Sequence, residues 1–139
     1  MAKPYIHADA SVRRYGGKSE DYLELHELMD SSKIAHPTNV HRTLTHNTWF
    51  AKVIIPKCFG NTITNSDGKK ISTEQIALDH IAEDFGGKFV PSAQDYLINV
   101  VPQDWFENGK TGLPSSYTNY GRLDRRLQSD KTTTSRTGS

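Results

Sequence analysis

Six histidines stand in the chain, five of them before Gly60, and three stretches place them where they could do chemistry. His26 precedes Asp30 by four residues and His80 precedes Asp84 by four. On a helix each of those pairs shares a face. The densest polar run is His41-Arg42-Thr43-Leu44-Thr45-His46. Its two histidines fall about 140° apart on an ideal helix, so they converge only if His41 lies in a distorted first turn or ahead of it. His7 stands isolated upstream.

Neutral imidazole is a borderline ligand that suits zinc, iron, nickel or manganese, and a nearby carboxylate either ligates the ion or orients the ring. The candidate ligands are His26, His41, His46 and His80, with a divalent transition metal, Zn or Mn, as the expected cofactor. Asp84 is the candidate ligand, orienter or general base, and the fixed fork of Arg42 suits a phosphate oxyanion. A metal held this way supplies hydroxide at neutral pH, which makes hydrolysis of a phosphoester the reaction expected of it. A single histidine is more often a surface or satisfied core residue than a ligand. No CxxC or HExxH stretch supplies a named metal signature, so the weight rests on four histidines that share helices with core-facing residues.

The elements that must carry these side chains are mostly helical. Residues 1–18 show no clear period and close on Tyr15-Gly16-Gly17, a turn. Ser19 is the expected cap of a helix in which Tyr22, Leu25 or His26, and Met29 recur at helical spacing. A second helix is expected from an Asn39 cap to about Ile55, stopped by Pro56, with Leu44, Ala51 and Ile55 on one face and the stretch from Trp49 to Ile55 central to the core. Thr62-Ile63-Thr64 and Lys70-Ile71-Ser72 flank Asn65-Ser66-Asp67-Gly68-Lys69 as a short β-hairpin. Those turn residues lack the distal acid of a calcium loop. Ser72 with Gln75 makes a capping box for a helix ended by Gly86-Gly87, and Ser92 caps another. Trp105 and Phe106 are expected to close the core, and Cys58 to be a buried packing residue.

The fold class is therefore mainly α with a small β-hairpin (α+β), a compact helical domain over 1–106 with its hairpin near 61–72, followed by an extended C-terminal tail. Of 139 residues, 35% are hydrophobic and 24% charged. That is one domain's worth of chain. Residues 1–106 carry 11 Lys/Arg against 13 Asp/Glu, and residues 107–139 carry 6 against 3. The tail is basic, polar and poor in apolar residues, so it is expected to be flexible or held by a partner. One cysteine excludes an intrachain disulfide and fits a reducing, cytoplasmic compartment. No run is long and apolar enough for a membrane span. Tyr15, Tyr22, Trp49 and Trp105 with Arg42 and Arg13/Arg14 could clamp a nucleotide or nucleic acid, though aromatic residues at such spacings are more often core.

Residues 5–106 resemble a family of small uncharacterised bacterial and phage proteins classed as a domain of unknown function. The matching stretches are His7, Tyr15-Gly16-Gly17, Asp21-Tyr22, Leu25-His26 and Asp30-Ser31-Ser32-Lys33, then His41-Arg42 with His46, Phe59-Gly60 and Ile63 to Lys69, and finally His80 with Glu83-Asp84, Pro91-Ser92 and Asp95-Tyr96-Leu97. The resemblance implies a compact, mainly helical domain with polar histidines at fixed places, and no activity. Asp79 departs from the polar residue, such as Gln, expected before His80. Separately, His41-Arg42-x-x-Thr45-His46 is similar to a stretch of predicted metal-dependent membrane hydrolases, which adds to His41 and His46 as ligands. Two readings follow. One is a metal-dependent phosphoester hydrolase. The other is a non-catalytic phage or bacterial accessory protein with a structural histidine cluster and a protein-docking tail at 107–139.

Overall fold

The computed structural model describes residues 3–114 and divides the chain into two compact units, Met1–Ile98 and Asn99–Ser139. The first unit is built on three helices: α1 (Pro4–Tyr15), α2 (Glu20–Asp30) and α5 (Thr73–Asp84). Between α2 and α5 run two 3-10 turns (Ser31–Ile34 and Asn39–His41), α3 (Arg42–Thr45), a π-helical stretch (Phe50–Ile54) continuing into α4 (Ile55–Phe59), and the hairpin β1 (Thr62–Thr64) and β2 (Lys70–Ser72). The short α6 (Ala93–Leu97) follows α5. The described part of the second unit holds α7 (Trp105–Asn108).

Each main helix buries one stripe. In α2 that stripe is Tyr22, Leu25, His26, Met29 and Asp30, and in α5 it is Thr73, Ile76, Ala77, His80 and Ile81. Both follow the spacing of three and four residues that one face of a helix requires. The apolar core is formed by Ala8, Tyr22, Leu25, Met29, Ala51, Ile55, Ile71, Ile76, Ala77 and Ile81. Ser72 accepts from the backbone N–H of Gln75 at the start of α5, while the Gln75 side chain turns instead to Asp79. At α6 both halves of the capping box form between Ser92 and Asp95.

The mainly helical fold with one antiparallel hairpin agrees with the sequence reading, and Thr62 pairs with Ser72 and Thr64 with Lys70. Four local expectations change. First, α1 exists where no period was legible, because its buried residues are His7, Ala8, Ala10 and Ser11, two of them polar. Secondly, the helix expected from Asn39 to Ile55 is broken at His46, Thr38 rather than Asn39 caps its first turn, and Leu44 is 52% exposed. Pro56 does not stop the later half. It falls in the first turn of α4, where a missing N–H costs nothing, and the wider π turn precedes it. Trp49 is half exposed, so Ala51 and Ile55, with Phe50 partly buried beside them, carry that segment into the core. Thirdly, the Ser19 side chain donates to Asp9 instead of capping α2. Fourthly, Cys58 is exposed, and Phe106 is 52% exposed with its ring edge-on to Trp105 at 4.7 Å.

The Asn-Ser-Asp-Gly stretch clips the hairpin onto α1 and α2. Asn65 Nδ2 donates to the Tyr15 carbonyl and to Tyr22 Oη, and its Oδ1 accepts from the N–H groups of Asp67 and Lys69. Asp21 accepts from Ser66 through both backbone N–H and hydroxyl. Gly17, at φ +76°, lies so close beneath Asn65 that a Cβ there would sit 2.9 Å from the asparagine Cβ. This motif is a structural clasp.

Candidate metal centre

The polar stripes of α1, α2 and α5 meet in the middle of the first unit. Residue pairs four apart do the positioning: His26 and Asp30 leave α2 on its buried face, and His80 and Asp84 leave α5. His46 enters from the break after α3, where the residue lies outside helical geometry at φ −97°, ψ 60°. Asn47 supports that break by donating to the Thr43 carbonyl and accepting from the N–H of Phe50, and Tyr96 Oη donates to the His46 carbonyl.

One donor atom from each of Asp30, His46, His80 and Asp84 lies within 4.8 Å of the other three. Two ligands on one ion with bonds near 2.1 Å are at most about 4.2 Å apart, so small adjustments would close the set on a metal. His46 Nε2 is 2.8 Å from Asp84 Oδ2 and 3.8 Å from Asp30 Oδ1. His80 Nε2 is 3.2 Å from Asp30 Oδ1 and 3.6 Å from Asp84 Oδ2. None of these four side chains is more than 5% exposed. A buried His/Asp cluster able to coordinate a metal ion is present.

The surrounding hydrogen bonds settle where the ring protons are. Thr45 Oγ1 donates to the Met29 carbonyl at 2.7 Å, so at 2.8 Å from His46 Nδ1 it accepts, and His46 Nδ1 carries a proton. Ser11 Oγ donates to the His7 carbonyl and therefore accepts from His26 Nε2 at 2.9 Å. Burial, helped by the charges of His80 and His7, pulls His26 down to about 3, so its ring is neutral and its Nδ1 is an acceptor. His80 Nδ1, 2.8 Å away, is then the donor. Burial also holds His80 below the usual histidine range, which leaves its Nε2 bare. Burial resists the charge on Asp84, but the His46 and His7 imidazoles beside it hold its carboxyl well below the ordinary carboxylate range. The Nε2 atoms of His46 and His80 thus face the carboxylates of Asp84 and Asp30.

His7 joins from α1. Burial works against its charge, yet Asp84 and Glu83 outweigh that and raise it to about 9. Its Nδ1 lies 2.5 Å from Glu83 Oε1, and Glu83 is ion-paired with Arg14.

Of the residues singled out from sequence, His46, His80 and Asp84 come together. His26 stands behind His80 and orients it. His41 is one step removed: its Nδ1 lies 2.7 Å from Ser32 Oγ, which is 3.0 Å from Thr45 Oγ1, the atom that holds His46. Arg42 lays its guanidinium over the Phe85 ring, 5.1 Å from the centroid. Asp30 was legible only as the partner of His26 four residues before it, and its entry into the group adds a ligand. His7 was legible only as an isolated histidine and as part of the family resemblance, not as a member of the ligand set.

Residues 2–106 match the family described as "Domain of unknown function (DUF6915)". The chain belongs to that family. No curated protein and no solved structure matches it. The DUF6915 match contains every residue of the cluster and of the hydrogen bonds that orient it. No described helix is long and apolar enough to cross a membrane, so the likeness of the His41–His46 stretch to membrane hydrolases extends to no spanning segment among the described residues.

Proposed function

We propose that this DUF6915 chain is a metal-binding protein whose buried centre holds one divalent transition ion, Zn or Mn, on Asp30, His46, His80 and Asp84. The observation that carries the reading is the meeting of two imidazoles and two carboxylates, with one donor atom of each within 4.8 Å of the others, in the protein interior. Two imidazoles and two carboxylates gathered this closely in the interior are a mixed nitrogen and oxygen donor set that a divalent cation can share. Because the donor side chains are at most 5% exposed, the site suits a structural or storage role better than one requiring a large substrate at the ion. In such a role the basic segment 107–139, with 6 Lys/Arg against 3 Asp/Glu, is the part that docks on an acidic partner, as an accessory protein of a phage or bacterium would.

A catalytic reading, hydrolysis of a phosphoester by metal-bound hydroxide, is favoured by one observation. Arg42 Nε is buried without a hydrogen-bond partner, and its guanidinium packs on the residue that follows Asp84. The test begins from protein stripped with a chelator. Adding Zn or Mn should raise the melting temperature, and the Asp84→Asn variant should lose that rise. No rise in the wild type refutes the metal reading. Metal-dependent cleavage of a chromogenic phosphodiester that falls with Arg42→Ala would establish the catalytic reading, and metal binding without turnover would establish the structural one.

A further inference from the structure

Resting on the metal reading, we infer that the centre is built for an ion with five or six ligands, of the Mn(II) or Fe(II) kind, rather than for tetrahedral zinc. His7 Nε2 and the second oxygen of Asp30 are the added donors. Three buried side-chain polar atoms among the described residues have no hydrogen-bond partner: His7 Nε2, Asp30 Oδ2 and Arg42 Nε. The first two border the cluster. In a core where buried polar groups are almost all satisfied, two atoms without a hydrogen bond at one place point to a ligand they share.

The geometry around His7 fits that role. The residue is 1% exposed. Glu83 takes its Nδ1 proton, and Arg14 fixes Glu83, so the ring is held as carboxylate-bound histidine ligands are held. Its Nε2 points at Asp84 Oδ1 from 3.3 Å, out of line for a hydrogen bond. The His7 and His80 rings stack with centroids 3.7 Å apart and planes 24° apart. Their Nε2 atoms therefore approach the two oxygens of one carboxylate, His7 at 3.3 Å from Oδ1 and His80 at 3.6 Å from Oδ2. Adjacent donors on a six-coordinate ion with bonds near 2.1 Å lie about 3 Å apart, which is this spacing. On the opposite side Asp30 presents Oδ1 to His80 and His46, while Oδ2 has only the Lys33 ammonium, at 3.9 Å. A carboxylate that ligates through both oxygens uses both.

The four donors within 4.8 Å of one another, joined after a small inward shift by His7 and the second Asp30 oxygen, would make six. Tetrahedral zinc would leave the last two stranded, whereas an ion that favours mixed oxygen and nitrogen at higher coordination number uses them. The test uses cobalt(II) as a spectroscopic probe and manganese(II) as the competing ion, in the full-length protein stripped of metal. The wild-type cobalt complex should show the weak visible bands of five- or six-coordination. His7→Gln should intensify them and weaken manganese binding by about tenfold or more. Intense four-coordinate bands in the wild type would overturn the inference, and so would a His7→Gln protein with an unchanged spectrum and unchanged manganese affinity. The wild-type spectrum reads the coordination number even if the variant does not fold. Failure of the wild type to take up either ion would instead refute the metal reading beneath it.

Discussion

Replacing Asp30 by Asn separates a metal cluster from an ordinary buried ion-pair network. Asp30 Oδ1 lies 3.2 Å from His80 Nε2 and 3.8 Å from His46 Nε2, and the chain through Ser11 and His26 leaves the His80 nitrogen bare. An amide there puts an N–H where the His80 lone pair now faces a carboxylate oxygen. In metal-free protein one repulsive contact becomes one hydrogen bond, worth about 0.5–1.5 kcal/mol. The melting temperature of stripped Asp30→Asn should therefore equal or exceed that of stripped wild type, by up to about 4–8 °C per kcal/mol in a domain of this size. With metal the order inverts. An ion at about one hundred times its Kd stabilises the wild type by about 2.7 kcal/mol, and the variant, having lost one ionised ligand, should gain little of it. Thermal unfolding of both proteins with chelator and with Zn or Mn is the assay. If His80 Nε2 carried a proton and simply paired with Asp30, the substitution would cost about 3–5 kcal/mol in metal-free protein. A stripped variant melting far below stripped wild type would refute the proton assignment and the argument built on it.

Other expectations can be checked together. Thr45→Val removes the acceptor of the His46 proton and should weaken metal binding about 10–100-fold in a chelator-competition titration. His26, held neutral with its value lowered to about 3, favours the folded state fully above its ordinary 6.5, and that contribution is lost as pH falls from 6.5 towards 3, about 5 kcal/mol over the full range. His7 has the opposite sign: raised to about 9, it favours the metal-free fold below 6.5 and stops doing so as pH rises through 9. Stripped protein should therefore melt highest near pH 6.5, in scans from pH 4 to 10. Gly17→Ala forces a side chain onto φ +76° and to within 2.9 Å of Asn65 Cβ, so it should cost at least about 1–3 kcal/mol in denaturant unfolding without altering metal stoichiometry.

What could be read from the sequence was what local chemistry controls. The α5 cap at Ser72, the hairpin turn at Asn65–Gly68 and the His/Asp pairs four apart on α2 and α5 all follow from short-range rules, and the structure has them. The pairs alone bring Asp30, His80 and Asp84 to the interior. Hidden were features decided by tertiary packing. In α1 the apolar stripe of Ala8, Val12 and Tyr15 is flanked by His7 and Ser11, which face inward to serve the cluster, so its period is disguised by its role. His46 reaches the centre because the chain breaks after Thr45, and a reading that ran one helix from Asn39 to Ile55 could not place it. His26 and His41 carried the same sequence signal as His80 and His46. Which of each pair faces the carboxylates and which supports it from behind depends on Ser11, Ser32 and Thr45, contributed by three separate elements.

The most direct measurement is the metal content of purified protein after equilibrium dialysis against Zn or Mn, beside a His46→Ala/His80→Ala double variant. The account predicts about one tightly held ion per wild-type chain and none in the variant. Wild-type protein that leaves dialysis with no bound metal, or a variant that holds as much as the wild type, would contradict it.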